Sequence, residues 1–303
     1  MAWDSIAALL NAAIEEEKGI GEIVLASEAE ETGSSPEELL ARMDDHLSVM
    51  QRAINQGLHE SVKSRSGLVG GQAQQLARYA VDGTTLSGET ALRAAIYATA
   101  TLEVNAAMGR IVAAPTAGSS GILPGVVFAV AERLGTPRRE MVLALFCAGA
   151  VGLVIANKAG ISGAEGGCQA EVGTATAMAA AAATQMAGGT PQQACQAVAL
   201  ALKNALGLVC DPVAGLVEVP CVKRNTLYTP LALMAADMAL AGIVSVIPVD
   251  EVIEAMAQIG RSIPAALRET AQGGLAITPT GKQLMQRLTC RARPGTAAES
   301  HAP

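Results

Sequence analysis

Aromatic side chains are nearly absent from this 303-residue chain: one Trp, three Tyr and two Phe make up 2% of it. Any core must therefore be assembled from Ala, Val, Leu, Ile and Met. Charge is scarce as well, at 16% against 50% hydrophobic residues. That balance excludes a disordered chain and leaves ample material for a core. Basic residues are outnumbered, 21 to 28, and the net charge is -7. The basic footprint of a nucleic-acid binder is missing. No clean apolar run reaches the roughly 20 residues that span a bilayer. The longest, Met141 to Ala156, has 16 and is stopped by Asn157 and Lys158. Buried helices account for such runs despite a mean hydropathy of +0.34. No basic stretch followed by an apolar one opens the chain, so no signal peptide is expected. The expected location is the cytoplasm, with no membrane partner.

Sustained apolar–polar alternation and a βαβ rhythm are also lacking. Helix punctuation, by contrast, is plentiful. Ser35-Pro36-Glu37-Glu38 supplies an N-cap, a proline in the first turn and a glutamate at N3, with Gly57 as the expected stop. Thr190-Pro191-Gln192-Gln193 repeats the pattern, and Lys203 and Gly207 suit the far end. Thr136-Pro137, Thr229-Pro230 and Asp250-Glu251 open three more helices, the last two closing near Gly242 and Gly260. Alanine favours helix and lets helices approach closely. The expected fold is all-α, an Ala/Gly-rich helical domain with ligand-binding loops between closely packed helices. An acidic helical region over 1–60 is read as part of one domain with 61–290, followed by a tail over 291–303.

Glycine-rich segments with many hydroxyl residues interrupt the most apolar part of the chain. They are Ser66-Gly67-Leu68-Val69-Gly70-Gly71, Pro115-Thr116-Ala117-Gly118-Ser119-Ser120-Gly121 and Ser162-Gly163-Ala164-Glu165-Gly166-Gly167-Cys168. Exposed linkers would be out of place there. Buried backbone must find partners, and glycine lets a backbone approach a ligand closely. Binding loops are expected.

Six cysteines in a chain of this kind do not suggest a disulfide scaffold. Cys147 and Cys195 fall inside expected helices and read as core, and Cys290 reads as a surface thiol. Cys168, Cys210 and Cys221 sit beside Gly, Pro or Asp in sequence expected to be non-helical. At helix ends, backbone N–H groups would stabilise negative sulfur. Forty-one and then ten residues separate them, which matches no zinc-finger spacing. By spacing alone the metal reading is weak, and buried structural thiols are the simpler account.

The blocks Ala114-Pro115-Thr116-Ala117-Gly118-Ser119-Ser120-Gly121, Ser162 through Gly173, Cys210-Asp211-Pro212-Val213-Ala214-Gly215, and Val219-Pro220-Cys221 running on to Arg224-Asn225 resemble the iron–sulfur-dependent L-serine dehydratases. The resemblance runs from about Ser61 to Gly281. It is to the alpha subunit of the two-chain form, or equally the catalytic domain of the fused form. It implies a 4Fe-4S cluster held by Cys168, Cys210 and Cys221, and no pyridoxal phosphate. Three cysteines would leave one iron open as a Lewis acid, whereas four close an electron-transfer cluster. It further implies L-serine as substrate, a beta subunit as partner in a hetero-oligomer, and a place in amino-acid degradation and gluconeogenesis. Some fused relatives end in a cysteine that reaches the cluster; here thirteen residues follow Cys290.

For the substrate carboxylate, hydroxyls and backbone N–H groups of Thr116, Ser119, Ser120 and Gly121 are the candidates, with Ser66 and Gly67 as a second wall and Asn225 beside them. The general base is unassigned. His46, His59 and His301 lie outside the blocks, and Lys63, Lys158 and Glu171 lie nearer. The partner subunit could equally supply it. Three other readings compete. A pyridoxal-phosphate dehydratase would need an α/β fold with parallel strands. An iron–sulfur L-cysteine desulfidase would use a similar open iron. A non-enzymatic, membrane-associated helical carrier has only the apolar helices in its favour.

Overall fold

The computed structural model describes residues 3–292, and every regular segment in them is helical; one isolated bridge pairs Cys210 with Arg268. The helices are α1 (Ile6–Glu15), α2 (Ile20–Thr32), α3 (Pro36–His59), α4 (Gln72–Asp82), α5 (Glu89–Ala106), α6 (Ile122–Leu134), α7 (Arg138–Ala159), α8 (Gly163–Gly166), α9 (Thr174–Met186), α10 (Pro191–Lys203), α11 (Cys221–Leu240), α12 (Val249–Ser262) and α13 (Pro279–Ala292). The all-α expectation holds.

At the centre lies α9, whose residues from Thr174 to Thr184 are all buried. Its alanines let α6, α7, α10 and α11 close around it. On one side α5 packs against α6 and α11, and α3 packs on α5; on another, α2 lies along α7. Ile6, Leu9, Ile20, Leu47 and Ile54 belong to the same apolar core as Val151, Ala180 and Leu202, so the acidic N-terminal helices turn an apolar face inward. Helix α7 is long and apolar enough to cross a bilayer by composition, yet 72% of its apolar window is buried in the protein.

The local helix starts are where the caps put them. Ser35 Oγ accepts from Glu38 N while the Glu38 carboxylate accepts from Ser35 N, and Thr190 and Gln193 repeat the box. Two expected boundaries are corrected, at Gly57 and at Thr229-Pro230. Gly57 does not stop α3, which runs to His59; a Cβ there would lie 2.4 Å from Ala100 O, so this glycine serves the contact with α5. Helix α12 closes at Ser262, near Gly260 as expected, and a Cβ at that glycine would meet Gly166 and Gln169 at 3.1 Å. Thr229-Pro230 opens no helix, because Pro230 lies within α11. Pro230 has no N–H for Thr226 O, and the Thr229 hydroxyl donates to that carbonyl instead at 2.9 Å. A tertiary frame and a local substitute for the missing bond carry the helix through the proline. Of the expected tail, Arg291 and Ala292 close α13, and the rest lies outside the described residues.

Candidate metal centre

Cys168 begins a short π-helical turn, Gln169–Gly173, that runs directly into α9. Such turns are rare and occur often at functional sites. The turn is fixed by the buried Gln169 side chain, which donates to Met256 O and accepts from Gly207 N, both at 2.9 Å. Cys210 is held by its backbone, donating to Leu267 O and accepting from Glu269 N at 2.8 Å. Cys221 is the first residue of α11. Cys168 and Cys221 thus stand at helix ends as expected, but within the first helical turn rather than in non-helical sequence. All three are buried free thiols.

One ligand atom each from Cys168, Glu171 and Cys210 gathers within 4.8 Å. Two soft sulfurs and a carboxylate make a candidate metal-binding group. Cys221 stands outside that tight trio, but its thiol feels the charges of Cys168 and Glu171 and is pushed up to about 12, chiefly by burial. The Cys168 thiol is drawn below its ordinary range, first by the bond with the Cys210 sulfur and then, against burial, by the Arg224 guanidinium. Cys210 moves the opposite way, because it shares that bond as donor and is desolvated. Burial raises the Glu171 carboxyl, opposed by a 2.7 Å bond from the Thr116 hydroxyl. Gly163 is the floor of this group: a Cβ there would lie 2.7 Å from Glu171 Oε2 and 3.1 Å from Cys210 Sγ.

The glycine-rich segments surround the trio. Thr116 Oγ1 links Ser119 Oγ at 3.1 Å to the Glu171 carboxylate. Ser119 and Ser120 are fully buried, and the Ser120 hydroxyl donates to Ala117 O. Asn225 is also buried, accepting from Gly121 N at 3.2 Å and donating to Gly118 O at 2.8 Å and Cys221 O at 3.0 Å. These groups brace the 115–121 segment against the start of α11. Ser66 is half-buried and donates to Glu218, a buried carboxylate on the turn before Cys221, while Gly67 is exposed. Of the proton-transfer candidates, only Glu171 lies in the cysteine group. Lys63 is exposed. Lys158 pairs at 3.8 Å with Asp250, which also accepts from Ile6 N and Ala7 N at the start of α1. His46 and His59 lie on α3.

Some neighbours had no role from sequence alone. Gly163 becomes significant only through what faces it. Glu218, Asp211 and Arg224 are charged residues in apolar surroundings, and the one available signal was that burial of such groups demands partners. Cys147 and Cys195 are core residues on α7 and α10 as expected, with the Cys195 thiol pushed up to about 12 by burial. Cys290 is exposed on α13.

Comparison with known proteins places these features in context. The profile of the serine dehydratase alpha chain matches residues 15–276. A probable L-serine dehydratase alpha chain of Bacillus subtilis is 58% identical over 269 residues, covering 89% of each chain. The L-serine dehydratase alpha chain of Peptoniphilus asaccharolyticus is 43% identical over 270 residues, 88% of this chain and 92% of that one. An L-serine dehydratase of Streptomyces coelicolor is 36% identical over 269 residues, which cover only 58% of its length. With the cysteine pair, Glu171 and the braced hydroxyl segment all inside the matched region, the chain belongs to the serine dehydratase alpha-chain family.

Proposed function

We propose that this chain is the catalytic alpha subunit of an L-serine dehydratase, working in the cytoplasm with a beta subunit and a 4Fe-4S cluster held by Cys168, Cys210 and Cys221. The reaction removes the Cα proton and the β-hydroxyl of L-serine together as water. The enamine left behind tautomerises to an imine, which water hydrolyses to pyruvate and ammonia. The donor set suits such a cluster: three buried free thiols come from separate segments, two of them gathered with Glu171, and a guanidinium beside Cys168 offsets thiolate charge. When bound, it supplies a Lewis-acidic iron that eases departure of the hydroxyl, a poor leaving group.

The protein's own groups do the rest. Glu171 exchanges a proton with the substrate, because among the named candidates it alone stands beside the sulfurs. Thr116 holds that carboxylate in place through its 2.7 Å bond. Ser66, whose hydroxyl donates to Glu218 in the free protein, turns to the substrate carboxylate, while Thr116 stays on Glu171 and, with Gly67, lines the same wall. Ser119, Ser120, Gly121 and Asn225 keep that wall rigid, since their polar groups already have protein partners.

The observation that carries this reading is the gathering of Cys168, Cys210 and Glu171 against the Thr116 segment in a member of this family. The test is anaerobic purification followed by iron and sulfide analysis and pyruvate assay with L-serine and L-cysteine. Cys168→Ala, Cys210→Ala and Cys221→Ala should each lose iron and turnover, and Cys195→Ala should keep both. Glu171→Gln should keep iron and lose turnover. Full activity in any of the first three variants defeats the ligand assignment, and faster turnover of cysteine than of serine defeats the substrate.

A further inference from the structure

Arg224 lies one turn into α11, three residues beyond Cys221, and its side chain is mostly buried at 15% exposure. Its guanidinium reaches three acceptors. Nη1 donates to Cys168 Sγ at 3.4 Å and to Val209 O at 2.9 Å, and Nη2 donates to Asp211 Oδ1 at 2.8 Å. Val209 and Asp211 flank Cys210. One planar group therefore touches the Cys168 turn and both neighbours of Cys210 while anchored on the helix that Cys221 begins. Asp211 continues the chain of bonds: it is 3% exposed, and its second oxygen accepts from Leu275 N at 2.7 Å.

We infer that Arg224, oriented by Asp211, is a positioning residue that ties the three cysteine-bearing segments together and places a fixed positive charge beside the Cys168 sulfur. The inference rests on the cluster reading above. Geometry explains why arginine stands here. A guanidinium is a rigid fork that serves several acceptors at once, whereas an ammonium is a single compact donor centre. A buried cation is tolerated only with a partner, and Asp211 is that partner. The effect on a cluster follows from charge. Reduction adds negative charge, which a neighbouring cation and a hydrogen bond to sulfur favour, so losing them lowers the reduction potential.

The experiment uses anaerobically purified holoenzyme, assayed for iron and sulfide content, iron release to a chelator and reduction midpoint. Arg224→Gln should release iron roughly 10–100-fold faster than wild type and show a lower midpoint. Arg224→Lys keeps the charge without the fork. It should recover most of the midpoint but not the slow release, a split that mere loss of stability would not produce. Asp211→Asn frees the fork but leaves the cation, so release should quicken while the midpoint does not fall. It carries the test if the Arg224 variants do not fold. An iron-release rate within twofold of wild type together with an unchanged midpoint in Arg224→Gln, or wild-type release in Asp211→Asn, overturns the assignment. Wild-type protein devoid of iron and sulfide instead overturns the cluster reading and this inference with it.

Discussion

One methyl group added at Gly163 tests where the chemistry sits. The residue is buried in α8, and a Cβ there would stand 2.7 Å from Glu171 Oε2 and 3.1 Å from Cys210 Sγ. Ordinary contact begins near 3.4 Å, so both groups must retreat. The Glu171 carboxylate cannot swing freely, because Thr116 holds it at 2.7 Å. Overpacking of this kind costs about 1–3 kcal/mol. Entropy lost by the unfolded chain on replacing glycine offsets about 0.4–1 kcal/mol of that. The net cost is about 0–2.6 kcal/mol, so Gly163→Ala should lower the melting temperature by no more than about 4 °C, given the shift per kcal/mol expected at this size. Catalysis is less forgiving. A misplacement of about 1 Å costs on the order of 100-fold, so even half of that displacement should reduce turnover of L-serine at least about tenfold. Scanning calorimetry and an anaerobic pyruvate assay on the same preparation measure both effects. A variant that keeps full turnover would show that the Glu171–Cys210 group is not where the substrate reacts.

Other consequences are structural. Gly57→Ala places a Cβ 2.4 Å from a backbone carbonyl of α5; backbone cannot turn aside, so destabilisation of about 3 kcal/mol or more is expected in urea unfolding. Gly149→Ala, exposed on α7 with nothing within 4 Å of the new carbon, should instead stabilise by about 1 kcal/mol, the helix-propensity difference. A pH-dependent term is expected from Glu103, which is buried on α5 and accepts from Gln72 N and Ala73 N at the start of α4. Burial raises its carboxyl above 4.5 in the folded state. The folded protein then binds this proton more tightly than the unfolded chain. The contribution is complete below the unfolded value and disappears as pH rises through the folded one. Urea midpoints taken on either side of that window should show the fall in wild type and a flatter profile in Glu103→Gln.

Much of the fold could be read directly from the chain. The capping boxes at Ser35 and Thr190, the Thr136-Pro137 start and the alanine-rich composition are local signals, and local hydrogen bonding honours them. The same reasoning failed where a residue answers to a distant partner. Gly57 looks like a helix stop in sequence, but it is small because another helix lies against it. Thr229-Pro230 looks like a start, but the rest of α11 was already committed by packing against α5, α9 and α10.

For the site, the sequence by itself determined the inventory: which thiols stand beside Gly, Pro or Asp, which segments carry hydroxyls and glycine, and the family those blocks resemble. Tertiary structure alone decided the company each residue keeps. Cys168 and Cys210 are far apart along the chain, and only the packing around α9 and the bond network of Gln169 bring their sulfurs beside Glu171. It likewise separated Lys158, bound to Asp250, from Glu171, and gave Arg224 its acceptors. The physical reason is one of range. Caps and helix propensity act over a few residues, whereas buried charge and sulfur take their properties from whatever the fold sets against them.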